Sequence, residues 1–300
     1  MIICLVDDDR ASLETLAFAR RLGNAEALVF GDVDVRGYAA HARRVVHERV
    51  DTYAPEAWAQ AVLQLEPEVV LAPGTDRGHE VLAHVAAHAG VALAANVVDA
   101  RLAGDAIELT RQRWGGSLLE EARLTDTPKL LTVAAHAVEA EPAEIQTRVE
   151  PFTPAWSEDH FRVSVSRREE PAAGAVRLDT ARVVVGGGRG VGSKEGFAPL
   201  EELAGLLGGA VGGSRVVTNL GWRPHADQVG QTGARIAPDL YIACGVSGAI
   251  QHIVGCKAAK RILAVNKDRN APIVARADWA VIGDLSEIVP AVVAELRRTK

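Results

Sequence analysis

Short apolar runs alternate along the chain with longer stretches whose apolar residues recur at helical spacing. The runs Ile2 to Val6, Ala27 to Phe30, Arg44 to His47 and Glu68 to Ala72 read as strands. Ala11 to Leu22, a segment opened by Ala54-Pro55 and Arg77 to Ala89 read as helices, the first stopping at Gly23 and the last at Gly90. In the second of these, Ala57, Ala61, Val62 and Leu65 share one side. Strand followed by helix, repeated, predicts a parallel sheet covered on both faces. From about Glu139 to Gly174 the pattern loosens into prolines, glycines and acids, framing Arg162 to Ser166, which alternates like an edge strand. A domain boundary is expected near Gly174, giving an N-terminal α/β domain over 1–174 and a C-terminal one over 175–300. The second half predicts strands at Ala181 to Val185, Leu240 to Ala243, Arg261 to Val265 and Trp279 to Ile282. A glycine loop spans Gly186 to Gly192, and helices are expected at Leu200 to Leu207, Gly248 to Lys260 and Leu285 to Leu296.

Composition narrows the class. Hydrophobic residues make up 48% of the 300 positions and aromatic ones only 4%, so the core is built from Ala, Val, Leu and Ile. The net charge of −6, with no run rich in Lys and Arg, argues against nucleic acid as a partner. Three cysteines without CxxC spacing exclude a disulfide framework or zinc ribbon and suit a reduced, cytoplasmic location. The five-residue apolar start is too short for a signal peptide, and no run approaches the ~18 residues of a membrane span.

Three segments carry candidate chemistry. Val183-Val184-Val185 runs into Gly186-Gly187-Gly188-Arg189-Gly190-Val191-Gly192, where bare backbone N–H groups and Arg189 suit a phosphate. The segment fits neither the GxGxxG nor the Walker template. Gly245-Val246-Ser247-Gly248-Ala249-Ile250-Gln251-His252 places a small-residue turn after a strand, with a helix expected to open at Ser247-Gly248 as an anion site. Val229-Gly230-Gln231-Thr232-Gly233 holds an amide and a hydroxyl between glycines, suited to the edge of a planar heteroaromatic ring. Ser214-Arg215 precedes these segments' second half, and Asn266-Lys267-Asp268 follows it.

Together these residues resemble the signature of the electron transfer flavoprotein α subunit (FixB) family, above all Leu240 through His252 and on to Ala264-Val265-Asn266. The likeness is dense from Arg182 to Val289 and faint earlier, through Gly115-Gly116 and Pro128-Lys129. It implies a flavodoxin-like or deoxyhypusine-synthase-like second domain binding FAD, with no metal and no catalytic nucleophile or base. Carried over, Arg189 would lie near the pyrophosphate and adenosine half and Ser247 and Gly248 would serve the pyrophosphate, with Gly188, Gly190 and Ala249 also contacting the cofactor. Asn266, Lys267, Asp268 and Asp284 would lie at the adenosine end. Arg215 would sit over the ring, Gln231 and Thr232 would reach its edge near N5 and O4, and His252 would lie near O2; Ser214, Gly230, Gly233 and Gln251 would also contact the cofactor. A cationic Arg215 and a donor at His252 would stabilise the reduced ring.

The resemblance further implies a heterodimer with a β subunit that carries AMP or a second FAD, a flavin-dependent dehydrogenase as donor, and a membrane quinone reductase or other acceptor. One departure stands out: small residues and an aspartate are expected after Arg215, whereas the chain reads Val216-Val217-Thr218-Asn219-Leu220-Gly221-Trp222. A bifurcating or otherwise specialised member of the family is a variant of this reading. Its rivals are an NAD-using enzyme, with Lys267 or His252 at the nicotinamide, and a non-redox adenine-nucleotide module. Elsewhere, His84 and His88, with His79-Glu80 one turn earlier, have metal-capable spacing but no evident third ligand. Asp7-Asp8-Asp9 reads as an acidic turn capping a helix. Cys244 and Cys256 read as small core residues, and Trp222 and Trp279 as core or interface.

Overall fold

The computed structural model describes residues 1–7, 10–116, 118–166 and 176–299. They divide into two compact units, Met1–Glu169 and Glu170–Lys300. The expected boundary at Gly174 lies outside the described residues, as do Asp8 and Asp9.

The first unit contains β1 (Ile2–Val6), α1 (Arg10–Ala19), β2 (Ala25–Val29), β3 (His41–Val45), α2 (Pro55–Leu63), β4 (Val69–Pro73), α3 (Asp76–Ala89), β5 (Leu93–Ala103), β6 (Ala106–Arg113), β7 (Leu118–Leu124), β8 (Lys129–Val133) and β9 (Arg148–Phe152). Its nine strands are ordered β7-β6-β5-β8-β4-β1-β2-β3-β9, parallel except for the antiparallel pairs β5–β6 and β6–β7. Strand β1 shows why both faces are covered. Cys4 and Val6 point into one apolar layer with Leu16 and Phe18, while Ile3 and Leu5 point into another with Val62, Leu82 and Trp58. Burying each such aliphatic side chain contributes about 1.5–3 kcal/mol.

The second unit contains β10 (Val183–Gly187), α4 (Ala198–Leu207), β11 (Ala210–Gly213), α5 (Arg215–Asn219), β12 (Leu240–Cys244), α6 (Ile250–Cys256), β13 (Ile262–Asn266), α7 (Pro272–Arg276), β14 (Trp279–Ile282) and α8 (Leu285–Thr299). Its five strands are all parallel, in the order β11-β10-β12-β13-β14. Tyr241 and Ala243 of β12 face one layer and Ile242 and Cys244 the other. The chain leaves β10 toward β11 on one side and returns to β12 on the other. Direction therefore reverses between β10 and β12, the position where open α/β sheets bind ligands beyond their strand ends.

Four expectations are corrected. Arg162 to Ser166 is no strand; its backbone bonds are Arg162 N–H to the Asp159 carbonyl at 3.4 Å, a local turn, and Val165 N–H to the Tyr53 carbonyl at 2.9 Å. The edge position belongs instead to β9, paired in parallel with β3. The third strand starts at His41, earlier than the Arg44 expected, because alternation there follows pairing with β2. The glycine run is not all loop: Gly186 and Gly187 complete β10, since a Cβ at either would run into Tyr241 or Phe197. Finally, the helix expected over Gly248 to Lys260 spans only Ile250–Cys256. Gly248 adopts φ +80° and Ala249 is the cap, so the chain enters the helix three residues after Ser247. Among the described residues no helix is long and apolar enough to cross a membrane.

Candidate cofactor site

The loops at the carboxyl ends of β10, β11, β12 and β13 enclose a cleft of about 630 Å³, within the usual range of small-molecule sites. Of the residues proposed from sequence, Arg189, Gly190, Ser214, Arg215, Gly230, Gln231, Thr232, Ser247, Ala249, Gln251, His252, Asn266 and Asp268 line it. The other five do not. Gly188 lies behind the wall and Gly248 under it, where a Cβ would stand 2.3 Å from the Gly245 carbonyl oxygen and 2.4 Å from the Ile273 nitrogen respectively. Gly233 closes the turn that presents Thr232. Lys267 and Asp284 are not on the wall either; they pair with each other at 2.7 Å.

Backbone bonds lock the loops together. Gly188 N–H donates to Cys244, Gly190 N–H to Gly245, Ser214 N–H to Gly187 and Gly245 N–H to Val265, at 2.9–3.0 Å. Glycine is required where the loops touch: a Cβ on Gly190 would sit 2.7 Å from Gly245 Cα. Asn266 donates through Nδ2 to the Val246 carbonyl at 2.8 Å and accepts from Asp268 N–H at 3.0 Å. Its amide therefore braces two loops of the wall. Asp284 is held by Lys267 and by the Ser286 hydroxyl and amide, which keep its carboxyl at about 2, below the ordinary value.

Val216, Asn219, Gln228, Val229, Gly245, Val246 and Ala271 also line the wall; Val229, Gly245 and Val246 lie in segments the sequence marked and Val216 and Asn219 in the departure after Arg215, whereas Gln228 and Ala271 gave no signal. Gln228 is the most consequential. Only 1% exposed, its side-chain amide spans Thr218 Oγ1 at 2.7 Å and Thr232 Oγ1 at 2.9 Å, tying α5 to the Gly230–Gly233 turn. Gln228 directly follows Asp227 and stands two residues before Gly230, and nothing in that one-dimensional pattern reveals the two threonines it joins.

His252 is buried, with Nε2 2.8 Å from the Tyr241 hydroxyl and no hydrogen-bond partner at Nδ1. Burial pushes its pKa down to about 4. Against this, the Val229 backbone pulls the value up, as the smaller of the two effects. The imidazole is thus neutral near pH 7, an uncharged partner beside the cations Arg189 and Arg215.

The remaining candidates resolve differently. His84 Nδ1 and His88 Nε2 contact the two oxygens of Glu56 at 2.8 and 2.7 Å, and no group of three His, Cys, Asp or Glu among the described residues is placed to hold a metal ion. Asp7 is bonded to Ser12, whose hydroxyl donates at 3.0 Å, and lies 3.7 Å from Arg77. All three cysteines are buried and reduced. Trp222 packs on a core layer, and Trp279 is 55% exposed.

A cleft at the reversal point of a parallel sheet, walled by interlocked glycine loops and carrying two arginines, defines a nucleotide-cofactor-binding α/β protein. Comparison with known proteins identifies which. Residues 8–155 match the profile described as electron transfer flavoprotein domain, and 177–257 that described as electron transfer flavoprotein FAD-binding domain. The α subunit from Mycobacterium tuberculosis is 39% identical, covering 97% of this chain and 95% of its own length. That of Thermoanaerobacterium thermosaccharolyticum is 32% identical over 96% and 94%, and protein FixB of Clostridium saccharobutylicum 32% over 96% and 92%. The chain belongs to the electron transfer flavoprotein α-subunit family, and its cofactor is FAD.

The residues present fit that cofactor. The cleft is long enough to touch four strand ends, its walls tolerate no Cβ at the glycines that back them, and His252 leaves a buried nitrogen unmatched.

Proposed function

We propose that this chain is the FAD-carrying α subunit of a heterodimeric electron carrier. It pairs with a β subunit, receives electrons from a flavin-dependent dehydrogenase and passes them singly to a quinone reductase or another acceptor. The observation that carries this reading is the convergence of Arg215, Thr232 and His252 with Arg189 on one cleft. A decayed nucleotide module has no need of all four. Bound FAD supplies the redox chemistry; the chain's own residues bind, orient and tune it.

In this reading Arg189, Gly190 and Ser247 hold the phosphate half by charge and bare backbone. Asn266 and Asp268 border the adenosine end, with Lys267 and Asp284 acting behind them as a brace. Gln228 fixes the Thr232 hydroxyl at the ring's edge. Arg215 stands on α5 beside the ring, where a fixed positive charge favours added negative charge. Gly188, Gly248 and Gly233 shape the wall. No side chain here is assigned a proton transfer or a covalent bond.

The test is co-expression with the candidate β subunit, followed by visible absorption and stepwise chemical reduction. A flavin spectrum that bleaches in single-electron steps is the expected result. A colourless heterodimer that refuses added FAD would overturn the proposal.

A further inference from the structure

Tyr241 and His252 form a buried pair beside the cleft. Tyr241 stands on β12 with no exposed surface, and its hydroxyl lies 2.8 Å from His252 Nε2. The hydroxyl has no other partner among the described residues, and Nδ1 of the imidazole has none in good hydrogen-bonding geometry, the Val229 backbone being the group that pulls on the ring from within the chain. His252 lines the cleft, whereas Tyr241 does not.

Counting hydrogens fixes the direction of the bond. If Nε2–H donated to the phenol, the phenol's own hydrogen would be buried without an acceptor. Nδ1 would then be a buried bare lone pair as well, leaving two unmatched groups. If the phenol donates to Nε2, only Nδ1–H is unmatched, and it belongs to the residue on the cleft wall. Buried polar groups left without partners are rare, so the second arrangement is the stable one.

Gly186 holds the hydroxyl in place. A Cβ at 186 would come within 2.2 Å of the Tyr241 oxygen, so the strand beside β12 makes room for the phenol with a glycine. The phenol stays protonated because burial pushes its pKa well above the ordinary value.

We propose that Tyr241 is a positioning residue: its hydroxyl donates to His252 Nε2, fixes the ring as the Nδ1–H tautomer, and thereby makes His252 a neutral hydrogen-bond donor to a carbonyl oxygen of the bound flavin. This rests on the reading of the cleft as the FAD site. It also accounts for the orphaned nitrogen, which a bound acceptor would satisfy. A neutral donor orients the ring without adding a full charge, so charge tuning is left to Arg215.

The test is ¹⁵N NMR of the heterodimer labelled at histidine, with the His252 resonances assigned by their loss in His252→Asn. The wild-type ring is expected to carry its proton on Nδ1 with Nε2 bare. In Tyr241→Phe a population protonated at Nε2 should appear, and FAD should dissociate about three- to tenfold more readily, the weight of one hydrogen bond. An Nε2–H ring in the wild type overturns the proposal; so does a Tyr241→Phe heterodimer with unchanged tautomer and unchanged FAD affinity. Should Tyr241→Phe fail to fold, the wild-type spectrum alone decides. If the heterodimer takes up no FAD, the proposed function fails separately. In that case the same spectrum still decides the pair: an Nδ1–H ring supports it and an Nε2–H ring overturns it.

Discussion

Among the side chains on the cleft wall, Arg189 and Arg215 are of the kind that supplies charge, and His252 is of a second kind, whose charge is suppressed. Its pKa in the folded chain is about 4, against 6.5 unfolded, because burial disfavours the imidazolium. Between those values the unfolded chain binds a proton that the native chain does not. Stability therefore falls as pH drops through that window, by at most about 3 kcal/mol once both limits are passed. Urea unfolding of wild type and His252→Asn at pH 7 and pH 4.5 should show the smaller acid loss in the variant, which keeps an acceptor for Tyr241. Equal losses would mean that another group titrates. Arg215 is of the first kind, exposed and cationic. Arg215→Ala should lower the flavin reduction potential by roughly 40 mV, the equivalent of about 1 kcal/mol for one electron. Potentiometric titration of the heterodimer reads this directly, and an unchanged potential would remove Arg215 from the ring.

At the scale of elements, the cleft depends on loops that approach more closely than side chains allow. Gly188 is a clear case, because a Cβ there would stand 2.3 Å from the Gly245 carbonyl oxygen and 2.6 Å from Val246 Cα. Gly188→Ala must push the β10 and β12 loops apart at a cost of about 1–3 kcal/mol. The expected result is a lower melting temperature together with weakened FAD binding. A variant that melts lower yet keeps full FAD affinity would show that the wall can relax without deforming the site. The sequence made this interlock only half legible. Glycines at 186–190 and 245–248 announced a ligand loop, because bare backbone is visible in one dimension. Which glycines are strand and which are loop was not visible, since that is decided by Tyr241 and Phe197 lying over β10. The start of α6 was misplaced for a related reason: a small-residue turn looks like a helix cap until Gly248 is seen at positive φ. Strands β1, β2, β4, β10, β12 and β13 were readable because burial on both faces makes them apolar runs, whereas β5, β8 and β9, though parallel, were not read. By contrast β11, with two glycines in four residues, and the exposed strand β7 gave no such run. Gln228 was hidden altogether, its role resting on Thr218 and Thr232 being brought to either side of it.

For the molecule as a whole, two units with separate apolar layers raise the question of how a cofactor held by one affects the other. The three thiols answer it, because they are distributed as natural reporters. Cys4 lies in the first unit and Cys244 and Cys256 in the second, all buried. Burial raises every one of them, Cys244 and Cys256 to about 12, so none offers a thiolate to an alkylating reagent until its unit opens. Among the described residues the cleft is lined by ones from Arg189 to Ala271, so FAD bound there would stabilise the second unit by mass action. At a hundredfold excess over Kd this amounts to about 2.7 kcal/mol, which at a typical urea dependence moves the midpoint by about 1 M or more. Pulse alkylation of the heterodimer across a urea gradient, read peptide by peptide by mass spectrometry, should show Cys244 and Cys256 labelling together. Their midpoint should rise on adding FAD while that of Cys4 stays where it was. If Cys4 shifted equally, the two units would be unfolding as one cooperative body. If neither midpoint moved at saturating FAD, the cleft would not be the binding site, and the assignment of the second unit to the cofactor would have to be withdrawn.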